Sequence, residues 1–255
     1  MKTLLPLLLA LALPVLGEDP RVSALIAQGD VEDRESRSRD ALRTLHQAEQ
    51  IDPNNVGILL RLAKQYSDLV DGTKGPVSEQ MARRSLDYSQ RAVKLDRQNA
   101  KAHLSVAVAY GKLTSFVGNR QKVDYSKIVR EEVDKSLSLD PTDSFGWHVL
   151  GRWHLGVANV GAALKTIAKV AYGGLPPASN EEAVKSFQRA IELSPERLIH
   201  RAELARAYQV LGRQDLAQKE WRIMLEHPGA SPEEQREKKA AEAALESIAK
   251  SSAGH

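Results

Sequence analysis

Four segments of the chain end in the same way, and this recurrence restricts the fold more than any other feature. Each runs from a small residue through an aliphatic one to Asp or Ser, and ends at Pro53, Arg97, Pro141 or Pro195. A polar residue followed by proline ends a helix, because proline lacks the amide that a continuing helix needs. The ends are 44, 44 and 54 residues apart, and a fifth, Pro228, follows after 33. A repeat of this length predicts stacked helical hairpins.

Positions counted from these ends carry matching residues. Ten residues past each end stands a small residue, as the close crossing of two helices requires: Ala63, Ala107, Gly151 and Ala205. Thirteen residues past stand Tyr66, Tyr110, His154 and Tyr208. Together with Trp147 and Leu150 these columns match the tetratricopeptide (TPR) pattern W-x2-L-G-x2-Y, with His154 in place of Tyr. The sequence therefore predicts an all-α fold, a right-handed TPR-like superhelix of about four to five helical hairpins.

The intervals exceed the TPR unit of about 34 residues, and the register places the surplus between the two helices of a hairpin, at residues 70–81, 115–127 and 157–180. The last surplus contains an amphipathic helix, 163–172, which we expect to pack on the solenoid; Lys165 and Lys169 leave a membrane-surface helix as the alternative. Ser231, Pro232 and Glu234 make a good helix start. We therefore predict a repeat domain at 18–230, and a capping helix with a frayed tail at 231–255.

The first 17 residues read as a secretory signal peptide. Lys2 precedes an apolar run from Leu4 to Leu13, and Gly17 offers a cleavage site. The apolar run is shorter than the ~20 residues needed to span a bilayer. We therefore expect cleavage after Gly17, no membrane span afterwards, and a secreted or periplasmic protein.

No motif for catalysis, cofactor binding or metal binding is present. The chain has no cysteine, which excludes disulfides and thiolate sites, and it has no P-loop, G-x-G-x-x-G, H-E-x-x-H or G-x-S-x-G pattern. His148 and His154 are six residues apart, so they do not share a helix face as an i,i+4 pair does. We predict no catalytic residue, no metal and no cofactor. An enzyme with a loop-built site around these histidines is the least favoured alternative.

The first helices of successive TPR hairpins line a concave groove. The register places Lys64, Arg152 and Arg206 in one groove column and His148 in the next. With two further lysines, the predicted partner-binding groove is Lys64, Lys101, Lys112, His148, Arg152 and Arg206. A mixed apolar and basic groove suits a protein or peptide that carries acidic groups; the alternative is that these charges are simply solvated. Acidic and basic residues are interspersed along the chain, which argues against nucleic acid.

The passage from Leu150-Gly-Arg-Trp153 through Pro176-Pro177 and Glu182-Ala183 to Phe187 resembles the regulator of microtubule dynamics family. That family places an extra helix and a Pro-Pro turn inside a TPR hairpin at this point. The similarity extends over about residues 85–248, although Arg197 to Arg201 replaces a more aromatic stretch of the family. The resemblance implies a TPR-like domain and, for some members, microtubule association. Our leading interpretation is an exported, non-catalytic protein-interaction scaffold, with a microtubule-associated regulator as the alternative.

Overall fold

The computed structural model describes residues 19–228 and 232–253, and every regular element within them is a helix. The helices are α1 (Pro20–Arg34), α2 (Ser38–Ile51), α3 (Val56–Asp71), α4 (Gly75–Leu95), α5 (Ala100–Leu113), α6 (Asn119–Leu139), α7 (Ser144–Ala158), α8 (Ala162–Tyr172), α9 (Asn180–Leu193), α10 (Leu198–Val210), α11 (Gln214–Glu226) and α12 (Pro232–Ala253). A 3-10 turn, Thr114–Phe116, follows α5. The predicted all-α class is confirmed, whereas the predicted signal peptide lies outside the described residues.

The described helices form five hairpins in series. The pairs are α1 with α2, α3 with α4, α5 with α6, α7 with α9, and α10 with α11. Each second helix contacts the first helix of the next hairpin, and α12 packs on both α10 and α11. The first helices also contact one another in succession, α3 with α5, α5 with α7 and α7 with α10. We call the surface formed by α3, α5, α7 and α10 the first-helix face. The right-handed sense of the superhelix stays a prediction.

The small column lies where helices cross closely. Ala63, Ala107 and Ala205 are fully buried. A Cβ added to Gly151 would lie 2.6 Å from Cε1 of Phe187, which is itself fully buried. The glycine is therefore required by the close approach of α9 to α7, because a phenyl ring occupies the space that a methyl group would need.

Residues at one further equivalent position, two after each repeat end, cap the N-termini of the first helices. Asn55 accepts a hydrogen bond from the amide of Ile58 at 3.2 Å, and Asn99 accepts one from the amide of Ala102 at 3.1 Å. Asp143 caps α7 in a similar way. These bonds satisfy amides that the first helical turn leaves without a partner. Arg197 occupies the equivalent position before α10 and makes no side-chain cap bond.

The surplus residues take two forms. In the second and third hairpins they lengthen the second helices, so that α4 and α6 each have 21 residues. In the fourth hairpin they form the separate helix α8, as expected, and α8 packs on α6. Gly173 and Gly174, with φ of 73° and 133°, turn the chain back towards α9. Only glycine adopts these two backbone conformations without strain.

Candidate partner-binding surface

Two basic residues in the N-terminal half of the first-helix face, Lys64 and Lys112, are neutralised by acidic neighbours. Nζ of Lys64 lies 2.6 Å from Asp33 Oδ1 and 2.8 Å from Asp68 Oδ2. Nζ of Lys112 lies 2.7 Å from an oxygen of Asp71. Two of the predicted groove residues therefore contribute locally balanced charge, which leaves little net attraction for an acidic partner.

His148 does not line an open groove, contrary to the sequence-based expectation. Its side chain is 1% exposed. The ring stacks on Phe145 with centroids 5.2 Å apart and meets the edge of Phe187 at 5.8 Å. Its column is a seam between hairpins, since the equivalent Leu104 and Ala202 are also buried. His148 is thus a core residue of the contact between α7 and α10.

A second histidine completes this buried contact. Nδ1 of His200 on α10 lies 3.2 Å from Nδ1 of His148. Burial, followed by the charge of Arg197, lowers the pKa of His200 to about 4. Burial also lowers the pKa of His148 well below its usual value, with His200 and Arg152 adding to the effect. Both rings are therefore neutral at pH 7, so that one nitrogen donates and the other accepts.

The histidines do not form the arrangement that an enzymatic alternative would need. His148 is hydrogen-bonded to His200, whereas His154 packs edge-on against Trp153. Nδ1 of His154 is buried and has no hydrogen-bond partner among the described residues. Within that part of the chain, no group of three or more His, Asp or Glu residues is arranged to hold a metal ion.

Arg152 and Arg197 carry exposed positive charge in the C-terminal half of the first-helix face. The charges of Arg152, Arg197 and Arg206 all lower the pKa of His148, so all three lie in its vicinity. We call these three residues the basic cluster. Arg152 is exposed and makes no ion pair with any described residue. Cζ of Arg197 lies 5.3 Å from the ring centroid of Phe145, a cation–π arrangement.

The remaining predicted groove residues differ in how far acidic neighbours neutralise their charge. Arg206 pairs with Glu203 at 2.7 Å and with Glu237 of α12 at 3.4 Å. Lys101 is exposed on α5, and its charge helps to lower the pKa of Asp140 after the hydrogen bonds from Thr142. Arg206 is therefore partly neutralised by the capping helix, whereas Lys101 and Arg152 present their charge to solvent.

Sequence reasoning missed Arg197 and Phe145 on this surface and the buried His200 beneath it. Arg197 could have been found, because it interrupts the column of helix-capping residues at Asn55, Asn99 and Asp143. A position that forgoes a stabilising cap is a reasonable place to look for another role. The contact between His148 and His200 joins residues 52 positions apart, so no local sequence pattern predicts it.

A cleft of about 360 Å³ lies beside the inserted helix. It is lined by the end of α7, by the Pro-Pro segment and by one lysine of α8: Val157, Ala158, Lys165, Leu175, Pro176, Pro177 and Ala178. Apart from Lys165 its lining residues are apolar types, and the cleft is open to solvent. As for the described helices themselves, none is both long and apolar enough to cross a membrane.

The chain matches a family model described as regulator of microtubule dynamics protein 1-3 over residues 22–249. The match begins in α1 and so includes the first hairpin. It is 27% identical over 178 residues to regulator of microtubule dynamics protein 3 of Xenopus laevis, covering 69% of this chain and 38% of that protein. It is 29% identical over 140 residues to regulator of microtubule dynamics protein 1 of Bos taurus, covering 54% of this chain and 44% of that protein.

The chain spans well under two thirds of the length of these relatives. Among solved structures, a thermophilic TPR protein of Thermus thermophilus superposes with a TM-score of 0.68 at 17% identity, covering 88% of this chain and 98% of that one. This likeness confirms the TPR-like fold and carries no statement about function. The predicted family resemblance is likewise confirmed by the matched model.

The predicted secreted or periplasmic localisation is wrong. The matched relatives come from eukaryotes, including frog, cattle and human, and their names connect them with microtubule dynamics. Microtubules lie inside the cell, so these relatives point away from export. The expectation rested on the apolar composition of residues 1–17, and the described structure begins after that segment.

Proposed function

The chain belongs to the regulator of microtubule dynamics family, and from that premise we propose that it is a non-catalytic scaffold which binds a protein partner through the basic cluster. The family name and the TPR-like fold support a role in protein interaction. The proposal places the binding surface in the C-terminal half of the first-helix face, between α7 and α10. It assigns the partner an acidic segment.

The observation that carries this proposal is the uneven pairing of charge along one face. Lys64 and Lys112 are matched by aspartates, whereas Arg152 and Arg197 make no ion pair with any described residue. A guanidinium offers a planar set of donors that fits a carboxylate in two parallel hydrogen bonds. The ring of Phe145 beneath Arg197 limits the freedom of that side chain, which lowers the entropic cost of binding.

Site-specific photo-crosslinking in cell extract tests where the partner sits. Gly156 is exposed on α7, four residues beyond Arg152, and an added side chain there meets no atom within 4 Å. A photoreactive residue at 156 should crosslink to the partner, whereas one at the exposed Lys94 on α4 should not. The crosslink at 156 should disappear in the Arg152→Glu, Arg197→Glu variant. Equal crosslinking at 156 and 94 would reject the assignment.

Microtubules are a second candidate partner, favoured by the names of the family's curated members. Co-sedimentation with polymerised tubulin tests this directly. Pelleting should weaken in the Arg152→Glu, Arg197→Glu variant. It should persist in Lys94→Glu, Lys135→Glu, which changes the net charge equally at exposed positions on second helices. Absence of pelleting by the wild-type chain would dismiss microtubules and leave the search for another acidic partner.

A further inference from the structure

Three segments that extend the hairpins beyond the standard repeat share an unusual composition. They are residues 72–78, 114–123 and 157–179, at the turn ends of the second, third and fourth hairpins. They contain five basic residues, namely Lys74, Arg120, Lys122, Lys165 and Lys169. The carboxylates nearest in sequence to the first two segments, Asp71, Glu79 and Asp124, lie in the adjoining helices, where Asp71 pairs with Lys112 and Glu79 with Arg83. We call the surface that they form the hairpin-tip surface. It is separate from the basic cluster on the first-helix face.

The three segments are neighbours in the fold. Val70 and Ala82 of the second hairpin pack with Leu113 of the third, and Phe116 joins this small core from the 3-10 turn. Helix α8 of the fourth hairpin packs on α6 of the third, and Ala168 of α8 is fully buried. The turn ends of the second and third hairpins are thus neighbours, and the inserted helix of the fourth hairpin lies against the third.

Apolar side chains project into solvent along this edge. Val170 of α8 is 83% exposed, and Val77 in the first turn of α4 is 52% exposed. Lys165, Lys169 and Lys74 beside them are at least partly exposed as well. Val170 stands in a segment, residues 157–179, that contains two lysines and no carboxylate, which solubility alone explains poorly. Scattered positive and negative charge would serve solubility equally well.

We propose that the hairpin-tip surface docks on an anionic lipid bilayer, with Val170 and Val77 entering the headgroup region and the lysines contacting acidic headgroups. A short amphipathic helix with lysines beside apolar residues lies in the membrane interface in this way. Each basic residue near an anionic surface strengthens binding about fivefold, and carboxylates there would weaken it. Docking would be peripheral and salt-sensitive, and it would leave the first-helix face free for a protein partner.

Flotation of the full chain with lipid vesicles tests the proposal. Vesicles of phosphatidylcholine with about 30% phosphatidylserine, which have a strongly negative surface, are compared with pure phosphatidylcholine. The chain should float only with the anionic vesicles. Binding should fall at least about tenfold in Lys165→Glu, Lys169→Glu. The matched control Lys94→Glu, Lys135→Glu should keep wild-type binding, because those lysines lie near the opposite ends of α4 and α6.

The Val170→Ser variant distinguishes binding to a membrane from binding to an acidic polymer. Because Val170 is almost fully exposed, this change leaves the packing of α8 intact. It should weaken vesicle binding while leaving binding to polyglutamate beads unchanged. Equal flotation with neutral and anionic vesicles would overturn the proposal. So would equal loss in both double-lysine variants. Binding to polyglutamate with no dependence of vesicle binding on Val170 would assign this surface to an acidic protein instead, and would also reject membrane docking.

Discussion

The Nδ1 atoms of His148 on α7 and His200 on α10 lie 3.2 Å apart inside a fully covered contact between two hairpins. Two imidazoles can share this hydrogen bond only while at least one of them is neutral. Arg197 and Arg152 lie near enough to oppose a further positive charge. The pair therefore makes the junction of the last two hairpins sensitive to acid.

Lowering the pH from 7 to 4 should destabilise the protein through this pair. An unfolded histidine has a pKa of about 6.5, while the pKa of His200 in the fold is about 4 and that of His148 is also depressed. The stabilisation is therefore fully present above pH 6.5. It is lost as the pH falls towards 4, by up to roughly 3 kcal/mol.

Urea unfolding of wild type and His200→Asn at several pH values measures this effect. The asparagine amide nitrogen stands close to the position of Nδ1, so it can keep a donor facing His148 but does not titrate. The variant should lose less unfolding free energy than wild type between pH 6.5 and 4. Parallel curves for the two proteins would show that the pair carries no linkage.

Gly151 should tolerate no side chain, although it lies in the middle of α7. In Gly151→Ala the new methyl group would meet the buried ring of Phe187 at 2.6 Å, at a cost of about 1–3 kcal/mol. Gly156→Ala, five residues later in the same helix, meets no atom within 4 Å and should stabilise by about 0.5–1 kcal/mol. Thermal unfolding should thus give Tm shifts of opposite sign. A shift of the same sign in both variants would contradict the packing argument.

Much of the fold followed from the sequence, because a repeated hairpin places equivalent residues in equivalent environments. The small column of Ala63, Ala107 and Ala205 is fully buried, as the close crossing of helices requires. The inserted helix was likewise apparent from its periodicity and from the Pro-Pro segment after it. The form that the surplus takes in the second and third hairpins was less clear, because glycines typical of turns stand at the starts of α4 and α6.

The binding surface followed less well, because charge pairing between hairpins has no sequence period. The register places Lys64 and Arg152 in the same column, yet the first meets Asp33 of the preceding hairpin and the second meets no acidic residue in the described chain. The burial of His148 depended on His200, 52 residues away. Register predicts which face a residue lies on, whereas neutralisation and burial depend on its neighbours.

Glu49 should be a key polar residue of the junction between the first two hairpins. Its carboxylate accepts hydrogen bonds from Tyr88 at 3.1 Å and from Arg91 at 2.8 Å, and it lies 3.1 Å from Nδ1 of His46. Tyr88→Phe removes one donor and leaves the carboxylate paired, so it should cost about 1 kcal/mol. Glu49→Ala removes the common acceptor and should cost about 2–3 kcal/mol. Denaturant titrations compare the two, and equal losses would reject this ranking.

Replacing Arg197 with asparagine should raise stability and lower partner binding together. Asn55 and Asn99 cap α3 and α5 at the equivalent position, whereas Arg197 makes no cap bond. A new cap on α10 should contribute about 1 kcal/mol, reduced by roughly 0.5 kcal/mol for the lost contact with Phe145. Urea unfolding should therefore show a small net gain, while crosslinking of the partner from position 156 should decrease. Arg197→Lys separates the two effects: it keeps the charge but supplies no cap, and it should retain binding without the gain in stability. If Arg197→Asn gained stability and kept full binding, the missing cap would have no link to partner binding, and the basic cluster would have to be redefined as Arg152 and Arg206.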